Sequence, residues 1–141
     1  MAETKTIKIL FIEDENLLQS LFTDVLSLDT EFKYEVSNAA SLEAGLNAAE
    51  TNRPNVIVLD MIIPLDGEAV PSPERGMSFI EKAKTNPSLK DIPIVVFSNL
   101  DDAETKKRAF DLGADSYLVK SESVPQTFLA TLKKTLTKSG F

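Results

Sequence analysis

Five short apolar runs along the chain alternate with segments in which apolar residues recur every three or four positions. Continuous apolar runs are typical of strands buried on both faces of a sheet, whereas the longer period is typical of amphipathic helices. The predicted strands cover residues 8–12, 32–36, 56–59, 94–97 and 117–119. The predicted helices run from 17 to about 28, from an N-cap at Ser41 to about 52, and over 77–84, 101–112 and 125–137.

The regular alternation of strands and helices predicts the α/β class, with a parallel sheet and helices on both of its faces. We predict a flavodoxin-like, doubly wound (βα)5 fold with five strands in the order 2-1-3-4-5. The 141 residues fit one domain, and no repeat, low-complexity tract or linker divides them. We therefore expect residues 1–141 to form a single domain.

Composition excludes several classes of chemistry. The chain has no cysteine and no histidine, which excludes disulfides, thiolate or imidazole metal sites, a histidine-based catalytic triad and a phosphohistidine carrier. Apolar residues make up 43% and charged residues 26%, as in ordinary globular domains. Any reactive groups must therefore be carboxylates, hydroxyls, lysines or backbone atoms.

The absence of cysteine makes a reducing cytoplasm the simplest expected location, and charge and hydropathy argue against a nucleic-acid or membrane partner. The formal net charge is −7, whereas a general nucleic-acid binder needs a basic surface. No apolar run approaches the roughly 20 residues that a membrane span needs, and no secretory signal opens the chain. The basic clusters at 106–108 and 133–138 fall late in predicted helices, where solvated cations suit the helix dipole.

Polar residues follow four of the five predicted strands. Glu13 and Asp14 follow the first, Asp60 the third, Ser98 the fourth and Lys120 the fifth. Ligands of open α/β sheets bind beyond the carboxyl ends of the strands. Because strands one and three are neighbours in the predicted order, we expect three carboxylates to converge at one point.

Three clustered carboxylates repel one another and need a compensating cation. All-oxygen ligands favour Mg²⁺ over zinc, and Mg²⁺ commonly acts on phosphoryl groups. A divalent cation together with Lys120 would balance the charges of Glu13, Asp14 and Asp60, so that an anionic phosphoryl group is no longer repelled. Taken singly, each residue is more simply a helix cap or a surface charge. Their combination at four strand ends favours a phosphoryl-transfer site.

The sequence around these residues resembles the response-regulator receiver family over nearly the whole chain. Any one of the shared motifs is a weak signal, whereas all of them in order at the strand ends form a specific one. The motifs are Phe-Ile-Glu13-Asp14-Glu, Val-Leu-Asp60-Met-Ile-Ile-Pro64, Val-Val-Phe-Ser98-Asn, Ser-Tyr117-Leu-Val-Lys120, Gly76 before the third helix and Gly113-Ala114-Asp115 before the last strand.

The resemblance implies a role for each site residue. Asp60 would be the nucleophile that accepts a phosphoryl group as an acyl phosphate. Glu13 and Asp14 would hold Mg²⁺ together with Asp60 and the backbone carbonyl of Ile62. Lys120 would pair with Asp60 and then with the phosphoryl oxygens. Catalysis in such a site is mainly positioning and charge stabilisation.

The resemblance also implies a switch and its partners. Ser98 would move to hydrogen-bond the phosphoryl group, and Tyr117 would turn into the space it leaves. The donor would be a sensor histidine kinase or a histidine phosphotransfer protein, and the signal would pass to an unknown protein target. We expect a phosphoacceptor that assists its own phosphorylation and dephosphorylation, not an enzyme in the ordinary sense. No output domain is expected, and phosphorylation-dependent homodimerisation is left open.

Four features depart from the family pattern. Residues 65–75 form an insertion, interpreted as a loop that either gates the site or is a tolerated surface insertion. Ser121 replaces the usual proline after Lys120, which leaves the isomer of that peptide bond open. Asn99 replaces a small residue and could narrow access to the phosphoryl group. Ile62 and Leu100 replace residues that are often polar, from which we expect slow dephosphorylation.

Three other functions fit the same fold less well. A receiver-like interaction module that is never phosphorylated would be expected to lack the acidic pair, the aspartate or the lysine. A phosphatase that uses Asp60 as its nucleophile would usually carry a second acid two residues later, where Ile62 stands. A flavin-binding protein would need phosphate contacts after the first strand, where residues 13–16 are largely acidic. The unphosphorylated module remains the principal alternative.

Overall fold

The five predicted strands form one parallel sheet, whose order is β2-β1-β3-β4-β5. This computed structural model describes residues 5–13, 24, 26–64, 72–122 and 125–140, and the structural statements that follow concern these residues. The strands are β1 (Thr6–Ile12), β2 (Lys33–Ala39), β3 (Val56–Leu59), β4 (Ile94–Ser98) and β5 (Ser116–Val119). The predicted fold class and strand order are confirmed.

Four helices and one short 3₁₀ helix connect and flank the described strands. They are α1 (Leu42–Asn52), α2 (Pro73–Thr85), α3 (Ala103–Leu112), the 3₁₀ helix Lys120–Glu122 and α4 (Pro125–Lys138). The helix predicted over 17–28 lies mostly outside the described residues, although the backbone at Asp24, Leu26 and Ser27 is helical. No described helix is long and apolar enough to cross a membrane.

Two apolar cores lie on opposite faces of the sheet because strand side chains alternate between faces. Leu10 and Ile12 of β1 pack with α1, α2 and α3. Ile9 and Phe11 of the same strand pack on the other face with Leu26 and α4. The central strands β3 and β4 are buried at every position. This burial on both faces explains their continuous apolar runs.

Helix α2 begins at Pro73, so the prediction that it starts at residue 77 is wrong. Ser72 is the N-cap, and its side chain accepts a hydrogen bond from the Glu74 amide at 3.3 Å. Proline suits the first helical position, and an acidic residue in the first turn suits the helix dipole. Residues 73–75 are therefore helical, not part of the predicted 65–75 loop. Residues 65–71 lie outside the described part of the chain.

Strand β2 is longer than predicted and ends at Ala39 instead of residue 36. Every residue of β2 pairs with β1, from Thr6 with Lys33 to Ile12 with Ala39. Ser37 and Asn38 weakened the sequence signal because β2 is an edge strand, where polar side chains meet water. Backbone pairing with β1 therefore overrides the low strand propensity of these two residues.

Gly76 allows α2 to pack directly against the chain that follows β3. Its amide donates a hydrogen bond to the Met61 carbonyl oxygen at 3.1 Å. A Cβ atom at this position would lie 2.5 Å from both the Met61 Cα and the Met61 carbonyl oxygen. Backbone atoms cannot move aside as a flexible side chain can. Since Met61 follows Asp60, this contact also fixes the chain beside the candidate site.

We expect Gly76→Ala to lower the free energy of unfolding by about 1–3 kcal/mol through overpacking. Gly45→Ala is the matched control, because Gly45 is also a buried helical glycine. There the new Cβ would meet only side-chain atoms of Ile12 and Phe79, which can shift. Urea denaturation of both variants measures the difference. Equal stability of the two variants would contradict a steric requirement at Gly76.

Candidate functional site

The candidate site lies at the carboxyl ends of the strands, as predicted. Glu13 directly follows β1, Asp60 follows β3, Ser98 ends β4 and Lys120 follows β5. The order β2-β1-β3-β4-β5 makes β1 and β3 hydrogen-bonded neighbours. The Asp60 amide continues this ladder by donating to the Ile12 carbonyl oxygen at 2.9 Å. The sheet itself therefore fixes the relative positions of Glu13 and Asp60.

A buried ammonium group joins the two carboxylates. Lys120 Nζ lies 2.8 Å from Asp60 Oδ2 and 3.6 Å from Glu13 Oε2. The exposed fractions of the three side chains are 7% for Lys120, 5% for Glu13 and 10% for Asp60. Charges this buried persist only when they are paired. These three side chains leave one net negative charge at the site.

The second carboxylate oxygen of Asp60 is held by its own local turn. The Ile62 amide donates a hydrogen bond to Asp60 Oδ1 at 3.0 Å. An aspartate that accepts from the amide two residues later forms an Asx turn. Each oxygen of Asp60 therefore has a separate donor, Lys120 for Oδ2 and the Ile62 amide for Oδ1. The carboxylate is oriented by the protein and not by solvent.

The oxygen donors at this position suit a hard divalent cation. Glu13 and Asp60 carry negative charge in excess of the single Lys120 cation that reaches both. Carboxylate and backbone carbonyl oxygens are the ligands that Mg²⁺ prefers. No group of three or more acidic residues able to hold a metal occurs within the described ranges. Asp14, the third predicted carboxylate ligand, lies outside them.

Lys120 reaches Asp60 from the first residue of the 3₁₀ helix that follows β5. The peptide bond between Lys120 and Ser121 is trans, since none of the described peptide bonds is cis. Lys120 Nζ also lies over the Phe97 ring, 5.8 Å from its centroid. The structure therefore answers the question that Ser121 left open. The lysine arrives at the site through a tight helical turn.

Ser98 and Tyr117 are joined through the backbone of Leu100. The fully buried Ser98 accepts a hydrogen bond at Oγ from the Leu100 amide at 3.3 Å. Tyr117 donates its hydroxyl hydrogen to the Leu100 carbonyl oxygen at 2.6 Å. The two side chains therefore share one residue, which each contacts by a different backbone group. A shift of Leu100 changes both hydrogen bonds together.

Burial is the main cause that raises the pKa of Tyr117, to about 12. Nearby aspartate charges, Asp60 among them, act in the same direction, whereas a hydrogen bond with the Ser98 side chain acts against it. The Tyr117 ring is half-buried and packs against the core beneath α1, α2 and α3. The phenol is therefore neutral at physiological pH and remains a hydrogen-bond donor to Leu100.

The described site thus brings together six of the seven residues that the sequence singled out as metal ligands, phosphoacceptor, phosphoryl contacts or switch residues. Glu13, Asp60 and Lys120 form the ionic cluster, and the Ile62 backbone contacts Asp60. Ser98 is at the end of the neighbouring strand, and Tyr117 is linked to it through Leu100. Asp14 alone among the seven lies outside the described residues.

Sequence reasoning missed two contributors. The backbone of Leu100 leaves no signal in residue identity, because any residue except proline supplies both an amide and a carbonyl. Phe97 reads as one of four consecutive apolar residues of a buried strand. In the sequence, only the adjacent Ser98 indicates that the Phe97 ring lies near the site. Asn99 is exposed, and its predicted effect on access stays a prediction.

Several curated proteins are similar to this chain over most of its length. The probable transcriptional regulator ycf27 of Porphyridium aerugineum is 32% identical over 92% of this chain and 48% of its own length. The alkaline phosphatase synthesis transcriptional regulatory protein PhoP of Bacillus subtilis is 32% identical over 94% of this chain and 49% of its own length. The chain spans about half the length of these curated relatives.

Solved structures with the same fold include several receivers. The chemotaxis response regulator CheY4 of Vibrio cholerae superposes with a TM-score of 0.74 at 24% identity, covering 93% of this chain and 99% of its own. The Mn²⁺-bound response regulator Rcp1 gives a TM-score of 0.70 at 25% identity, covering 96% of this chain and 93% of its own. The family model for the response regulator receiver domain matches residues 9–133. On the strand order, the residues at the strand ends and this match, the chain belongs to the response regulator receiver domain family of two-component systems.

Proposed function

We propose that this chain is a Mg²⁺-dependent phosphoacceptor, which receives a phosphoryl group on Asp60 from a histidine kinase or a histidine phosphotransfer protein. One observation carries the proposal: Lys120 Nζ is held 2.8 Å from Asp60 in a buried site that Glu13 also enters. A structural ion pair would not need the additional buried carboxylate. Excess negative charge beside a buried lysine is what a cation-assisted phosphoryl site requires.

The chemical step is a direct displacement at phosphorus. A carboxylate oxygen of Asp60 forms a bond to phosphorus as the bond from phosphorus to the donor's imidazole nitrogen breaks. The electron pair of the broken bond stays on that nitrogen, and solvent supplies its proton. Because the Asp60 carboxylate loses its negative charge in this step, the Lys120 ammonium then moves from Asp60 Oδ2 to the phosphoryl oxygens. The Ile62 amide continues to orient the acyl group.

Glu13, Asp60 and the Ile62 carbonyl are the described groups that would hold Mg²⁺, with Asp14 as the further predicted ligand. When bound, the cation would neutralise charge on the transferring phosphoryl group. The Mn²⁺-bound form of Rcp1 supports a divalent cation in a related receiver. The chain's own contribution is the pair of carboxylates of Glu13 and Asp60, held at neighbouring strand ends.

The shared contact at Leu100 supplies a route from the phosphoryl group to the surface. If Ser98 turns its hydroxyl toward the phosphoryl oxygens, it leaves the Leu100 amide. The Leu100 carbonyl is simultaneously held by Tyr117, so the loop after β4 and the tyrosine move as a unit. The phosphoryl group carries about −1.5 to −2 of charge where the Asp60 carboxylate carried a single negative charge, and this change biases such a two-state element. The changed surface would include α3 and β5.

The partners and setting follow from this chemistry. We place the protein in the cytoplasm, where a kinase or phosphotransfer protein would dock at the strand ends. The signal would leave by protein–protein contact, and the net charge of −7 disfavours direct nucleic-acid binding by this chain. The named relatives are transcriptional regulators, which supports a signalling pathway that ends in gene expression.

Intact mass spectrometry after incubation with acetyl phosphate tests the proposal. We expect the wild-type mass to rise by one phosphoryl group with Mg²⁺ and to stay unchanged after chelation. Asp60→Asn should abolish the gain, because the amide is not a nucleophile at phosphorus. Asp91→Asn is the matched control, since Asp91 is exposed and lies before β4 at the opposite end of the sheet. Failure of the wild type to gain mass would favour the unphosphorylated interaction module.

Ile62 and Leu100 are both partly buried beside Asp60 and Ser98. We propose that their apolar side chains slow hydrolysis because neither can orient an attacking water. Ile62→Asn combined with Leu100→Gln should shorten the half-life of the phosphorylated protein by up to about a hundredfold, the lower end of what a positioned polar group contributes. The decay of the added mass measures it. An unchanged half-life would contradict this role.

Titration to alkaline pH tests whether the Tyr117 hydroxyl is buried and hydrogen-bonded. The pKa of Tyr117 is raised to about 12, chiefly by burial. The pKa of Tyr34, the second of the two tyrosines, is also raised, first by burial and then by its hydrogen bond to Asp29. The unfolded chain loses these protons near pH 10, so stability should fall from about pH 10 upward. Tyrosinate absorbance near 295 nm should appear near pH 12 in the native protein. A full tyrosine equivalent titrating near pH 10, absent in Tyr117→Phe, would contradict the buried hydrogen bond.

A further inference from the structure

The geometry points to Phe97 as the positioning residue that keeps the Lys120 ammonium aligned with Asp60. This inference rests on the proposed phosphoacceptor function and adds a residue to its machinery. Lys120 Nζ lies over the Phe97 ring at 5.8 Å from the centroid, within the distance at which an ammonium is attracted to an aromatic face. Phe97 is 2% exposed, so water does not weaken the contact.

Strand pairing explains why these two side chains meet. Phe97 of β4 lies beside Leu118 of β5 in the parallel register. Lys120 follows Leu118 by two residues, at the start of the 3₁₀ helix that continues directly from β5. Phe97 and Leu118 both belong to the core on the α4 face of the sheet. The lysine therefore passes over this core on its way to the carboxylates.

The Phe97 ring is itself fixed by other aromatic rings. Its centroid lies 5.6 Å from that of Phe128, with 59° between the ring planes. Phe128 in turn stacks on Phe11 at 6.0 Å. A ring wedged in this way cannot easily turn its face away from the ammonium. Phe97 therefore acts as a rigid wall and not as a mobile lid.

The uncharged Phe97 ring can position the Lys120 ammonium at a stage when the carboxylates cannot. Phosphoryl transfer consumes the charge of Asp60, and Lys120 must then leave Asp60 Oδ2 for the phosphoryl oxygens. The lysine side chain has many rotamers, and their freedom opposes any single arrangement. The Phe97 ring, unlike the Asp60 carboxylate, carries no charge that the transfer consumes, so it can attract the ammonium both before and after transfer. It therefore restrains the ammonium during the exchange, when its ionic partners change.

The inference predicts a graded response to the electrons of the ring. Phe97→Leu should lower the rate of Mg²⁺-dependent phosphorylation by acetyl phosphate by between about fivefold and thirtyfold. Site-specific incorporation of 4-fluoro-, 3,5-difluoro- and pentafluorophenylalanine at 97 should lower the rate progressively, because fluorine removes negative charge from the ring face. This series retains an aromatic ring of similar size and covers the case in which Phe97→Leu fails to fold.

Phe79→Leu is the matched control. Phe79 is fully buried in the core on the other face of the sheet, so it reports the cost of losing a buried ring. It should lower the melting temperature without slowing phosphorylation of the folded protein. Equal rates for phenylalanine and pentafluorophenylalanine at position 97 would overturn the inference, as would a wild-type rate in Phe97→Leu.

A second measurement separates this inference from the proposed function. In protein with labelled lysine, the ε-methylene protons of Lys120 should resonate upfield because of the Phe97 ring current. Phe97→Leu should remove this shift and Phe79→Leu should retain it. If the wild type accepts no phosphoryl group, the proposed function fails, and the proton shift still decides whether Phe97 orients Lys120. Absence of the upfield shift in the wild type would overturn the inference.

Discussion

The buried contact between Lys120 and Asp60, with Glu13 beside it, is the interaction on which the site depends. Leaving one partner of a buried ion pair uncompensated costs about 3–5 kcal/mol, so each of these charges requires the others. They come from three separate strand ends, and the strand order β2-β1-β3-β4-β5 brings those ends together at one edge of the sheet. The fold and the ionic cluster therefore constrain each other.

Rigid and movable parts are separated around this cluster. The Asp60 amide is fixed by its hydrogen bond to the Ile12 carbonyl oxygen, and the chain after Asp60 is fixed by the contact of Met61 with Gly76. On the other side, Ser98 and Tyr117 each hydrogen-bond to the backbone of Leu100. A fixed Asp60 beside a loop held by these two hydrogen bonds fits the proposed switch, in which charge added at Asp60 would move the loop and not the acceptor.

The sequence predicted the fold and the ionic cluster well because both depend on side-chain identity. Four-residue apolar runs such as 56–59 and 94–97 are readily predicted as buried strands. A polar residue directly after such a run is then expected at the carboxyl edge of the sheet. Errors arose where local cues compete with partners distant in the chain: β2 continues through Ser37 and Asn38 because it pairs with β1, and Ser72-Pro73 begins a helix instead of lying in a loop. The Leu100 bridge and the face of Phe97 could not be predicted, since backbone groups and ring orientation leave no trace in residue type.

Reductive trapping of the phosphorylated protein shows directly whether Asp60 is the acceptor. Borohydride reduces an acyl phosphate to a primary alcohol, which converts the phosphorylated aspartate to homoserine, and peptide mass spectrometry locates it. After treatment with acetyl phosphate and Mg²⁺, we expect homoserine at position 60 and at no other aspartate position. Homoserine at a different position, or a phosphorylated protein that yields no homoserine after borohydride treatment, would contradict the assignment of Asp60 as the acceptor.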